Sequence, residues 1–411
     1  MGAEFRFLHC ADLHIGSAFT GLSRRLPELD GKLAQTPFLA WQNAVAAAIR
    51  EKVDFVLISG DCFDRNAPSL KGRIEFNKGL ETLNEARIPV LLVSGNHDPY
   101  PQSWSKAVKL PENVFFFPVD EVKLYPVVKN GEVVATVAGI SHNSLHVFDN
   151  LAVQAGNALK DAPGVRIALV HANLCGDQHA APATLADLTS LPVDYWALGH
   201  VHSRTVLSEK PFVVYAGCTQ GKDVREPGAQ GCYVVDCDGT GIKKMTFHQT
   251  SVLEFENIDL NISDVTDLEK TVQLLAEELS TLKKENDLLY RLKLTGITPL
   301  DADLRRWNNE ELYTFFYDRV RELFPGCFLE GVFVLTRMPG KERSALLPEE
   351  ELTRSLQELT EEKFLENRYE EMCTVFRALP PLRADRFEEL RRESSELLAE
   401  LLTGRVELGR K

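Results

Sequence analysis

Five short polar stretches, each placed directly after an apolar run, restrict this chain more than any other feature. They are Asp12-Leu13-His14, Gly60-Asp61, Gly95-Asn96-His97-Asp98, a lone His171, and Gly199-His200-Val201-His202. The runs before them, such as Phe55–Ser59 and Pro89–Val93, are short and continuously apolar, the pattern of strands buried on both faces. Loops at the carboxyl ends of such strands bring distant residues together. The five stretches therefore predict one site, assembled from several strand ends.

The order of elements agrees. A strand at residues 5–10, a helix over 37–52, a strand ending at Ser59, a helix over 70–87 and the strand 89–93 make a strand–helix–strand rhythm. That rhythm predicts parallel pairing with right-handed crossovers. From about residue 114 short strands follow, with a turn signal at Asn130-Gly131. Strands at 165–170 and 195–198 deliver His171 and His200/His202. The segments 205–207, 212–216, 232–237 and 242–247 read as antiparallel strands. The expected fold class is α/β: a two-sheet α/β sandwich over 1–250, a small α+β capping domain over 251–340, and a helical hairpin over 341–411, broken at Pro380-Pro381.

Charge and histidine are spread unevenly. The net charge is −14, with −3 in residues 1–250 and −11 in the remainder. This argues against a broad nonspecific grip on nucleic acid, though not against a groove where metal ions supply the positive charge. All ten histidines lie within residues 1–250, so imidazole chemistry belongs there. The eight cysteines (10, 62, 175, 218, 232, 237, 327 and 373) form no C-x-x-C pair. They predict a reduced, cytoplasmic protein without structural zinc, in which Cys10 and Cys62 are small buried spacers. No apolar run is long enough to cross a membrane as a helix.

The residue types in the five stretches suit phosphoester hydrolysis. That reaction needs an activated water, neutralised phosphoryl oxygens and help for the leaving oxygen, much of which two divalent ions about 4 Å apart can supply. Asp12 and His14 can reach one ion from a single loop, and Asp61 has two oxygens with which to bridge a pair. Asn96 offers a neutral oxygen, and His171, His200 and His202 complete the shells. In an extended segment His200 and His202 point the same way, so each can serve a neighbouring ion. His97 is placed to act on substrate, either stabilising the phosphoryl group or protonating the leaving oxygen, with Asp64 orienting it and keeping it charged. His179, in the loop after His171, is a candidate to face substrate.

The set resembles the calcineurin-like metallophosphoesterase superfamily, whose pattern is D-x-H, GD, GNH[DE], H, GHxH. The resemblance implies a dinuclear site, usually manganese (Mn2+). It assigns Asp12, His14, Asp61 and His202 to one ion and Asp61, Asn96, His171 and His200 to the other, with His97 catalytic. Phe7–Gly16, the stretch Gly60-Asp-Cys-Phe-Asp-Arg-Asn-Ala-Pro-Ser69, and Tyr215–Gly221 with Arg225, Glu226 and Gly231 resemble the DNA repair exonuclease branch, the SbcD-type nuclease subunits and their YhaO-like relatives. That branch implies DNA as substrate, 3′–5′ exonuclease and single-strand endonuclease activity, and an SMC-like ATPase partner docked on the C-terminal helices. A homodimer, or packing of the hairpin on its own chain, is the other use of those helices.

Two further readings stand beside the nuclease. One is a phosphatase or cyclic-nucleotide phosphodiesterase on the same scaffold, since Gly60-Asp-Cys-Phe-Asp64-Arg65 echoes the GDxVDR segment of protein phosphatases. The other is a scaffold protein whose main task is to bind an ATPase. Lys222 and Arg225 near the site, and Arg291, Lys293, Arg305 and Arg306 in the capping domain, are the candidate DNA contacts.

Overall fold

The computed structural model describes residues 3–17, 19, 22, 26, 29–64, 69–101, 104, 109–176, 178–282 and 286–339. The hairpin expected over 341–411, together with Cys373, lies outside these residues. The described chain divides into two compact units, one of residues up to 256 with 286–290, the other of 257–282 and 291–339.

The first unit holds two six-stranded sheets. One contains β1 (Phe5–Cys10), β2 (Phe55–Ser59), β3 (Val90–Val93), β4 (Val114–Phe116), β11 (Gly231–Asp238) and β12 (Gly241–Gln249), ordered β12-β11-β1-β2-β3-β4. The other contains β5 (Lys123–Lys129), β6 (Glu132–Gly139), β7 (Val165–His171), β8 (Tyr195–Gly199), β9 (Thr205–Glu209) and β10 (Phe212–Tyr215), ordered β5-β6-β7-β8-β10-β9. The runs β1-β2-β3-β4 and β6-β7-β8 pair in parallel, as the strand–helix–strand rhythm predicts. Asn130 and Gly131, both at positive φ, close the β5–β6 hairpin. The expectation for 212–216 needs correction. β10 is antiparallel to β9 but parallel to β8, because residues 200–211 let the chain turn back twice before it rejoins the sheet.

Alternation along each strand separates three layers of core. Phe5 and Phe7 of β1 and Phe55 and Leu57 of β2 point to the space between the sheets. There they meet Ile167 and Leu169 of β7 and Tyr195 and Ala197 of β8. Leu8, Cys10, Val56 and Ile58 point the other way, onto the helices Thr36–Arg50 and Leu70–Glu85. The outer face of the second sheet packs against the helices Leu151–Ala158 and Leu185–Thr189. Strands buried on both faces need apolar residues throughout, which is why these segments read as continuous runs.

One buried polar chain crosses from sheet to sheet. Ser59 Oγ donates to Ala197 O (3.1 Å), His9 Nε2–H donates to Ser59 Oγ (2.9 Å), and the Tyr195 hydroxyl donates to His9 Nδ1 (3.0 Å). All three side chains are fully buried. Burial drives the His9 imidazole down to about 3, so the ring stays neutral and the chain of donors is fixed.

The second unit, residues 257–282 and 291–339, carries the helices Leu268–Leu282 and Asn309–Leu323. Its sheet order is β13 (Leu253–Asn261), β14 (Asp287–Ile297), β15 (Cys327–Arg337). Strands β13 and β14 straddle the boundary between the units. No described helix is long and apolar enough to cross a membrane.

Tyr195→Phe leaves His9 Nδ1 buried without its donor. The expected loss is about 1–3 kcal/mol, read as a lower melting temperature in calorimetry. An unchanged melting temperature contradicts the assigned network.

Candidate metal centre

Three of the five motifs sit just past strand ends, while His171 is the last residue of β7 and Gly199, which opens the fifth, is the last residue of β8. All converge at one edge of the two facing sheets. The Asp12–Ile15 loop runs alongside the Gly60–Cys62 loop: Asp12 N–H donates to Gly60 O (3.1 Å), His14 N–H to Asp61 O (3.0 Å) and Ile15 N–H to Cys62 O (2.8 Å). Asp98 then ties the third loop to the second, accepting from Cys62 N–H (2.8 Å) and Gly95 N–H (2.7 Å). Close approach explains two of the glycines. A Cβ on Gly199 would lie 2.0 Å from Ser59 O, and one on Gly95 would lie 2.2 Å from Asp61 Oδ1.

The side chains these loops carry meet in a small volume. Asp12, His14 and His202 place a donor atom each within 4.8 Å of one another, and so do Asp12, Asp61 and His171. His14 Nε2 and His202 Nε2 are 3.0 Å apart. Asp61 Oδ2 is 3.5 Å from His171 Nε2 and 3.9 Å from His14 Nε2. Asn96 Oδ1 is 2.8 Å from His171 Nε2 and 3.1 Å from His200 Nδ1. All seven residues predicted as ligands thus belong to one cluster, with Asp61 between its two ends.

Hydrogen bonds outside the cluster fix which ring nitrogens face inward. His171 Nδ1–H donates to Ser59 O (2.9 Å), which leaves the Nε2 lone pair directed at Asn96 Oδ1 and Asp61. His202 Nδ1–H donates to Glu226 Oε1 (2.5 Å), which directs its Nε2 lone pair at His14. Asn173 Nδ2 lies 2.7 Å from His200 Nε2, so Nδ1 is the nitrogen turned to the cluster. The Asn173 amide donating to His200 Nε2 leaves the ring proton on Nδ1, which donates to Asn96 Oδ1 (3.1 Å), while the lone pairs of His171 and His202 converge with the carboxylate oxygens. Burial pushes the Asp12 and Asp61 carboxyls up, and the Asp61 charge adds to the rise at Asp12. His14 Nδ1 is buried with no partner among the described residues, and burial pushes that ring down. An all-nitrogen and oxygen donor set of this kind fits divalent cations.

The His97 ring meets His14 edge-on, with centroids 5.2 Å apart, and forms a further group of close donors with His14 and Asp64. The His97 backbone N–H donates to Asp61 Oδ1 (2.9 Å), while the ring Nδ1 is 3.2 Å from Asp64 Oδ1. The Asp64 hydrogen bond raises the imidazole above its ordinary value, and His97 in turn holds the Asp64 carboxyl well below the usual carboxylate range. Asp64 also accepts from Ser17 Oγ (2.9 Å). Lys222 Nζ is 3.9 Å from Asp64 Oδ2, which brings that lysine to the cluster.

The other basic candidates are paired with acidic neighbours. Arg225 is exposed and chelates Asp223, two residues away. In the second unit Arg305 pairs with Asp301, Arg306 with Asp303, Arg291 with Glu330 and Lys293 with Asp259. Cys10 and Cys62 are buried in the helix-facing core, where desolvation pushes both thiols up.

Sequence reading missed Glu226 and Asn173 as site residues. Glu226 is the more consequential. One oxygen holds His202, and the other accepts from the Lys222 backbone N–H (2.7 Å). A single carboxylate thus positions an inward-facing histidine and the lysine that flanks it.

Residues 5–204 match the family model for calcineurin-like phosphoesterases. An uncharacterised metallophosphoesterase of Bacillus subtilis, YhaO, is 33% identical over 306 residues, covering 73% of this chain and 74% of that protein. The chain belongs to the calcineurin-like metallophosphoesterase family. It is similar as well to the DNA double-strand break repair protein Mre11 of Saccharolobus solfataricus, at 28% identity over 55% of this chain and 57% of that one. The SbcD component of the SbcCD nuclease of Staphylococcus epidermidis is 24% identical, over 69% of this chain and 77% of its own length. Family membership makes the chain a metal-dependent phosphoesterase, and the converging donors are where this chain can hold metal.

Glu226→Gln removes the negative charge that holds His202 by its Nδ1–H. Loss of such an outer partner weakens metal binding about 10- to 100-fold, read by calorimetric titration of manganese. Unchanged affinity contradicts the positioning role of Glu226.

Proposed function

We propose that the chain is a metal-dependent DNA nuclease that acts in repair. The observation that carries this reading is the inward convergence of Asp12, His14, Asp61, Asn96, His171, His200 and His202, with the His97–Asp64 pair and Lys222 beside it. The similarity to Mre11 and to the SbcD component of SbcCD supports DNA over other phosphoesters.

Asp12, His14, Asp61 and His202 would hold one divalent ion, and Asp61, Asn96, His171 and His200 the other, with manganese the expected metal. When bound, two such ions supply charge neutralisation at the phosphoryl oxygens and a water activated for in-line attack. The chain's own groups do the rest. Lys222 offers a cation to a non-bridging oxygen of the scissile phosphate. His97, kept protonated by Asp64, gives its proton to the departing 3′ oxygen. The products are a 5′-phosphorylated nucleotide and a 3′-hydroxyl, consistent with 3′–5′ exonuclease and single-strand endonuclease action. Residues 341–411 are the proposed dock for an SMC-like ATPase, with self-association as the competing use.

Incubation with manganese and labelled duplex DNA, single-stranded DNA, a cyclic nucleotide and a phosphopeptide tests the reading. Nucleotide release confined to DNA is expected. Turnover of only the cyclic nucleotide or the phosphopeptide contradicts it and favours a phosphodiesterase or phosphatase. His97→Ala should lower kcat on DNA by about 10²–10⁴-fold while manganese binding persists. Loss of metal instead places His97 among the ligands.

A further inference from the structure

Two loops beside the metal centre carry aromatic rings that the proposed chemistry leaves unused. β6 and β7 end at Gly139 and His171, at the edge of the sheet where the centre lies. The segments that follow them are laced together. Val147 N–H donates to His179 O (2.8 Å), Ala181 N–H to Val147 O (2.7 Å), Asn173 N–H to Ala180 O (3.0 Å) and Ala183 N–H to Asn173 O (3.0 Å). Parallel bridges join Val147 to Ala180 and Asn173 to Pro182. The result is a three-ply extended ledge.

Val147, Ala180 and Ala181 are buried in the ledge, whereas His146, Phe148 and His179 are exposed. Phe148 is 66% exposed. The His179 ring sits edge-on to both His146 and Phe148, with centroids 5.4 Å away in each case. The ledge reaches the metal centre through Asn173, which touches His200. His142, in the first loop, also donates to His171 O (2.7 Å).

A phenylalanine held in water on a hydrogen-bonded ledge forgoes the stabilisation of burial. Flat rings in such a position suit the π-faces of nucleobases, which stack on aromatic side chains whatever the base. We propose that His146, Phe148 and His179 form a base-stacking platform for unpaired nucleotides next to the scissile phosphate. This rests on the DNA-nuclease reading and supplies what that reading lacks, a grip on the strand outside the reacting phosphate. Continuity with Asn173 favours the substrate strand over a protein partner, because whatever lies on the ledge is adjacent to the centre.

The test compares wild type, Phe148→Ala, Phe148→Trp and His179→Ala on two single-stranded oligonucleotides with manganese. One oligonucleotide is fully based, and the other carries tetrahydrofuran abasic residues in the three positions at each end. For wild type, removing the bases should lower kcat/KM about tenfold. Phe148→Ala and His179→Ala should show that loss on the based strand and little further loss on the abasic one, while Phe148→Trp restores the difference. Variants that lose equally on both strands, or lose nothing, overturn the platform; the second result is also what a protein-docking face would give. A wild type that hydrolyses thymidine 5′-(p-nitrophenyl) phosphate but neither strand overturns the nuclease reading, and the platform with it.

Discussion

The architecture depends on an electrostatic demand at one edge of two facing sheets. Asp12 and Asp61 are almost fully buried, and the imidazoles of His14, His171, His200 and His202 crowd them. Outer hydrogen bonds from Ser59 O, Asn173 and Glu226 aim three of those rings inward. Such a cluster has few ways to satisfy itself. Its carboxyls are driven toward neutrality, and His14 keeps a buried nitrogen without a partner among the described residues. Cations of charge two would answer the demand with charge and coordination together. The fold supplies the rigidity to hold the donors together meanwhile: a continuous apolar core between the sheets and the His9–Tyr195–Ser59 chain just behind them.

Backbone strain concentrates at the same place. Asp12, His14, Asp61 and His200 all adopt positive φ, at 50°, 42°, 50° and 105°. None is glycine, and such conformations cost on the order of 1–3 kcal/mol each. They persist because the first three loops are tied to one another through main-chain bonds and Asp98, and the His200 N–H donates to the Asp12 carboxylate. The strain turns each donor out of its strand direction and into the cluster.

Much of this was legible in the sequence because the ligands are local to strand ends. A strand of continuous apolar residues followed by Gly-Asp or Gly-Asn-His-Asp announces both the element and the loop that carries the donors. The His97–Asp64 pair was legible because Asp64 sits three residues past Asp61. The outer partners were not. Glu226 lies 24 residues beyond His202, in an irregular segment whose path only the folded chain defines. Asn173 carried a faint signal: in extended chain it shares a face with His171, two residues earlier. Arg225, close to Lys222 in sequence, has its guanidinium paired with Asp223 at the surface. The strand 212–215 also misled, since period-two alternation is the same for parallel and antiparallel pairing.

Asp61 stands where its carboxylate would reach two divalent ions at once, with His14 on one side and His171 on the other. Anomalous diffraction from crystals of the full chain soaked in manganese measures this directly. Two manganese peaks per chain are expected, both within coordination distance of Asp61, one beside His14 and His202 and the other beside Asn96, His171 and His200. A single peak, or two that do not share Asp61, would contradict this arrangement.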